Sequence, residues 1–175
     1  MASWLAYVAV VPLAIATALT GSCDTPNQAA PPAVISTAQP PWPAPRDGVN
    51  YFKKAHLVAE PLGVETNQRV FKLVIEIDGK PVAIPPYIGV DRPRALQVAV
   101  HTHEDNGDVW LEGTEVPSVT LGQFFTVWGI RFDEKCVGGV CGEIQVRADG
   151  AEVADPAALK LATIQRDLHI SVTSA

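Results

Sequence analysis

The sequence predicts an α+β domain, mostly β, in which a small antiparallel or mixed sheet carries one short helix. Three observations predict it. β-branched and aromatic runs recur between turn signals. Two Asp-Gly pairs and one Asn-Gly pair separate such runs. Only one segment carries bulky apolar residues at helical spacing. Strands, one helix and a closing strand suggest a β-grasp-like arrangement, with a β-sandwich as the alternative.

The elements follow in order. Val70 to Ile77 is a strand, Asp78-Gly79 a two-residue turn, and Lys80 to Ile84 the returning strand, stopped by Pro85-Pro86. Ala95 to Thr102 is the next strand. Asn106-Gly107 turns the chain and Asp108 to Glu112 returns. Leu121, Phe124, Phe125 and Trp128 fall at i, i+3, i+4 and i+7, so they share one face of a helix. Thr120 can cap its start and Gly129 its end. Gly142 to Ala148 and Ala151 to Ala154 form a hairpin around Asp149-Gly150, and Leu168 to Val172 closes the sheet.

The 175 residues fit one domain with a sizeable core. The net charge of -6 excludes a nucleic-acid binder, which would carry a basic field. Every Asp, Glu, Lys and Arg lies after Cys23. Trp4 to Leu19 is apolar except for Pro12 and Thr17, too short and too interrupted for a comfortable membrane span. It suits a signal peptide over residues 1–22, although the usual positive start is missing. Leu19-Thr20-Gly21-Ser22-Cys23 resembles the lipobox of bacterial lipoproteins, with Thr20 where that family prefers Leu. The resemblance implies lipidation of Cys23 and a domain tethered at the outer face of the cytoplasmic membrane. A single uncleaved transmembrane anchor is the alternative. Residues 23–48 hold seven of the 15 prolines and read as an extended, solvated linker. Trp42, between two of them, is the one linker residue able to dock, on the domain or at a lipid interface. The domain is expected to span residues 49–175.

Cys136 and Cys141 flank two glycines, and outside the cytoplasm a local disulfide is the expected state. A metal-binding or redox-active pair remains open, although the spacing is not Cys-x-x-Cys. His101-Thr102-His103-Glu104-Asp105 is the run with most chemistry in it. Residues two apart in a strand face the same way, so His101 and His103 can reach one ion, with Glu104 or Asp105 closing the site. Copper or zinc suits imidazole best. The plain alternative is two histidines at a strand end beside acidic neighbours. No nucleophile motif and no phosphate-binding glycine loop occurs, so the chain is not expected to be an enzyme.

His101-Thr102-His103, Asn106-Gly107, Glu112 and Leu121-Gly122-Gln123-Phe124-Phe125 to Trp128-Gly129 together resemble a family of uncharacterised bacterial secreted or lipid-anchored proteins. In that pattern a strand ending in His-Thr-His-Asp, a Gly turn and a His-x-Glu strand precede Leu-Gly-x-Phe-Phe-x-x-Trp-Gly. Some members carry a paired-cysteine loop like that at Cys136 and Cys141. The resemblance covers about Ile84 to Val172 and implies no particular activity. The later histidine is Trp110 here, which implies one candidate ligand fewer. Two functions are therefore expected in competition. One is a tethered module that binds an envelope protein or small ligand. The other is a copper- or zinc-binding and delivery lipoprotein.

Overall fold

The structure, a computed structural model, describes residues 29–175. The expected signal peptide (1–22) and Cys23, the expected lipidation site, lie outside the described residues. Among those described, no helix is long and apolar enough to cross a membrane.

The elements run α1 (Val49–Lys54), β1 (Glu60–Pro61), β2 (Arg69–Ile77), β3 (Lys80–Val82), β4 (Val90–Asp91), β5 (Leu96–Gln97), β6 (Val100–His101) and β7 (Asp108–Leu111). Then come α2 (Leu121–Trp128), β8 (Cys136–Val137), β9 (Val140–Ala148), β10 (Ala151–Glu152), a 3-10 turn (Leu161–Thr163) and β11 (Asp167–Ser174). The fold is α+β and mostly β. The main sheet has the order β10-β9-β11-β2-β7-β6, with β3 also on β2 and β8 also on β9. Three two-residue strands, β1, β5 and β4, form a minor sheet.

At the centre, β2 and β11 run parallel, with Leu73 opposite Leu168 and Ile75 opposite Ile170. All four are buried, as period-2 alternation on a one-sided sheet requires. The parallel first and last long strands, flanked by antiparallel hairpins, are the mixed sheet the sequence predicts. Its three hairpins are present: Ile77 pairs with Lys80 across Asp78-Gly79, β6 with β7, and Ala148 with Ala151 across Asp149-Gly150.

The predicted helix is α2. The Thr120 hydroxyl accepts from the Gln123 amide at 3.3 Å, and the Gln123 side chain accepts from the Thr120 amide at 2.9 Å. This reciprocal capping box satisfies two donors that a helix start leaves open. Gly129 ends the helix at φ 76°, a left-handed conformation that glycine takes without strain. A Cβ there would also meet the Tyr51 ring at 2.7 Å. Leu121, Phe124, Phe125 and Trp128 are all buried, and Phe125 stacks on Phe132 with ring centroids 4.2 Å apart.

Three expectations are corrected. A second helix, α1, exists; it is too short for a periodic signal and is held by the Val49 amide donating to buried Asp91 at 2.9 Å. The strand expected over Ala95 to Thr102 is two strands in two sheets. Gln97 is the cause of the break. Its buried amide accepts from Gly63 N–H at 3.0 Å and donates to Val64 C=O at 3.1 Å, which anchors β5 in the minor sheet before the chain turns into β6.

The third correction concerns the proline-rich segment. It is extended but not solvated throughout. Ser36 N–H donates to Gly129 C=O at 2.8 Å and Ser36 C=O accepts from Arg131 N–H at 3.0 Å, so this segment lies beside the chain after α2 as a short parallel bridge. Ala38 C=O accepts from Gly139 N–H at 2.7 Å and from the Trp42 indole at 2.8 Å. Trp42 is only 3% exposed and meets Trp128 edge-on at 6.0 Å, while the Trp128 indole donates to Trp42 C=O at 3.1 Å. Proline removes donors but leaves carbonyls, and these, with one large aromatic, are enough to strap the segment to the domain. Trp42→Ala is expected to cost about 3–5 kcal/mol, the usual loss for a buried aromatic, against about 0.5 kcal/mol or less in a solvated linker. Thermal melting of the two proteins measures the difference.

Candidate metal centre

The hairpin from β6 to β7 builds the site. His101 is opposite Trp110 in this pairing, and Val100 is opposite Leu111. Glu112 follows directly, its amide donating to Ala99 C=O at 3.1 Å, which draws the end of β7 back over the start of β6. His101 is 0% exposed and Glu112 3% exposed. His103 is exposed, two residues beyond His101. The two imidazoles meet edge to face at 4.8 Å, and His103 meets Trp110 edge to face at 5.2 Å. The two rings are adjacent, although β6 ends at His101 and His103 lies in the bend that follows.

The carboxylate is not the one expected. One ligand atom each from His101, His103 and Glu112 lies within 4.8 Å of the others. Glu104 and Asp105 are not in this group. Both are exposed in the turn, where Glu104 accepts from Asn106 at 2.9 Å. They are close in sequence, but the turn carries them past the strand face. Glu112 arrives from the partner strand, and the signal for it was the x-x-Glu end of the second strand pattern. His169 stands elsewhere, paired with Glu76 at 3.1 Å on the central strands.

Hydrogen bonding fixes the chemistry of His101. Its Nδ1 lies 3.0 Å from Val98 C=O. A carbonyl only accepts, so Nδ1 carries the proton and Nε2 presents its lone pair. That lone pair faces Glu112 Oε2 at 3.1 Å, and Nε2 makes no aligned hydrogen bond. Two electron-rich atoms therefore oppose each other in a buried place. The other Glu112 oxygen accepts from Gln68 at 2.6 Å. Backbone carbonyl to imidazole and amide to carboxylate are the outer contacts that aim metal ligands.

Burial pushes the His101 pKa below the ordinary 6.5, helped by nearby His103 and opposed by the Val98 and Glu112 contacts. The imidazole is therefore neutral at neutral pH, the form that binds metal. Residues 101, 103 and 112 thus offer two imidazoles and one carboxylate, with the exposed His103 marking the open side.

The other sequence candidates are also placed. Cys136 and Cys141 form a disulfide across the β8–β9 hairpin, with Cα atoms 4.1 Å apart, so neither is a metal ligand. A separate cleft of about 660 Å³ is lined by residues of the 131–135, 144–146 and 152–157 segments and includes none of the three ligands.

No protein-family model matches the chain. No curated protein and no solved structure matches it either. The family resemblance in the His-Thr-His and Leu-Gly-x-Phe-Phe patterns rests on those residues alone.

His101 also sets a pH dependence of stability. Its folded pKa lies below the unfolded value, so the unfolded chain takes up the proton first as pH falls. Its contribution is thus fully present above about 6.5 and is lost as the solution acidifies below that value. Metal-free protein is expected to melt at a lower temperature at pH 5 than at pH 7.5. In His101→Gln that acid loss is expected to shrink, as melting curves across the range will report.

Proposed function

We propose that the protein is a membrane-tethered extracytoplasmic domain that binds and carries a divalent ion of the zinc–copper class at His101, His103 and Glu112. The observation that supports this most is the His101 Nε2 lone pair held against a buried carboxylate oxygen. A cation between them turns a repulsion into two bonds. Ligand atoms about 2.0–2.1 Å from a tetrahedral ion are about 3.4 Å apart, so the present 3.1 Å needs only a small opening. Imidazoles favour zinc or copper over calcium, which takes six or more oxygens. Three ligands leave a fourth position open to solvent at His103, which suits loading and release.

Calorimetric titration of the full chain is expected to show one site for Zn²⁺ or Cu²⁺ and none for Ca²⁺. The site disappears in His101→Ala/His103→Ala. Gln68→Leu keeps all three ligands but frees Glu112, and affinity should fall about 10–100-fold. Binding unchanged in Gln68→Leu and in the double variant would refute the site.

The tether is supported by the lipobox-like run at Cys23 and by the disulfide, which fits an oxidising compartment. Labelling of cells with a fatty acid is expected to mark the wild type and not Cys23→Ala. Equal labelling of both would remove the lipid anchor.

A further inference from the structure

The sheet has an open stretch of edge that lies in the large cleft. β9 pairs with β11 on one side from Gly142 to Ala148. On its other side it is covered only at its ends. Gly142 N–H donates to Lys135 C=O at 2.9 Å, and Val146 C=O accepts from Val153 N–H at 2.9 Å. Backbone groups in an antiparallel strand alternate in direction. Gly142 and Val146 point away from β11, so Ile144, between them at the same parity, does too. Neither its N–H nor its C=O meets a partner among the described residues. The gap from Gly142 to Val146 is roughly 13 Å, room for about three extended residues.

This gap is part of the cleft of about 660 Å³, in which Ile144 and Val146 form one wall. Phe132 and Val153 add apolar surface. On the rim Arg131 is paired with Asp133, which leaves Lys135 against Glu134, Glu152 and Asp155. The rim is acidic. Natural sheets usually cover or blunt such edges, and an extended peptide can complete the ladder.

We propose that the β9 edge binds an extended basic peptide segment of a partner protein by strand addition. The Ile144 N–H and C=O bond to its backbone, an apolar side chain seats toward Phe132 and Val153, and flanking lysine or arginine side chains meet Glu152 and Asp155. The acidic rim and the net charge of -6 disfavour a second copy of this chain as the occupant. This site does not depend on the metal reading.

The test uses the full chain in detergent and a short, labelled, end-capped peptide alternating lysine and valine. Anisotropy is expected to show saturable binding, and hydrogen exchange of the Ile144 amide is expected to slow. A peptide with glutamate for lysine should bind at least about tenfold more weakly. Methylation of the central peptide nitrogen should abolish binding, because it removes the donor to Ile144 C=O. Ile144→Pro removes the outward N–H without touching the β11 ladder, and should do the same. Glu152→Lys/Asp155→Lys, a surface change that leaves the fold intact, should reverse the charge preference. Binding indifferent to peptide charge and to nitrogen methylation would overturn the proposal. Self-association abolished by Ile144→Pro would assign the edge to a second copy, and would overturn it too.

Discussion

The parallel pairing of β2 with β11 is the constraint on which the rest depends. It joins residues 95 apart in sequence, so it closes the domain and fixes which faces point inward. Leu73, Ile75, Leu168 and Ile170 reach the core only in this register. A slip of β11 by one residue would turn Leu168 and Ile170 outward. The other edge of β2 sets β7, with Phe71 opposite Val109, and β7 in turn sets β6. His101 and Glu112 come together at the end of this relay. The geometry of the candidate centre is therefore a property of sheet register rather than of a flexible loop.

The N-terminal strap shows a second constraint, which is packing around α2. Trp128 is covered by Trp42 on one side and by Phe124 and Phe125 on its own helix. Trp42 in turn requires Gly138, where a Cβ would come within 2.5 Å of its ring. Gly138 lies inside the loop closed by Cys136 and Cys141. The disulfide thus does more than shorten a loop. It holds the turn that seats Trp42, and Lys135 beside it bounds the open edge of β9.

What was legible in the sequence was local. Asp78-Gly79 and Asp149-Gly150 gave their hairpins because turn chemistry lies within four residues. Thr120 and Gly129 bounded α2 for the same reason, while the part of Gln123 in the cap shows only in the structure. His101 and His103 are two residues apart, but β6 ends at His101, and the bend that follows brings His103 back against it. What was not legible was set by distant partners. Val49–Lys54 is too short to show a period, and it forms because Phe52 is buried and Asp91 receives its first amide. Nothing near Gln97 in sequence announces that its amide will be tied to Gly63 and Val64. Proline content says nothing of where a carbonyl or Trp42 finds a surface. Glu104 and Asp105 neighbour the histidines in sequence but are exposed in the turn, whereas Glu112 comes to them from the partner strand.

The charge balance at His101 also bears on the proposed metal centre. A proton shared between Nε2 and Glu112 would relieve the repulsion, but burial opposes the imidazolium. A structural His–Glu pair would need nothing more than that proton, and would leave His103 without a part. Yet His103 is held edge-on between His101 and Trp110, with a ring nitrogen close to both other ligand atoms. Glu112 is held from behind by Gln68, which satisfies its other buried oxygen with or without an ion. A proton satisfies two atoms, whereas a divalent ion satisfies three and compensates a buried carboxylate. The ion proposed for this site would give His103 a part beside His101 and Glu112, which a proton shared by two atoms would not.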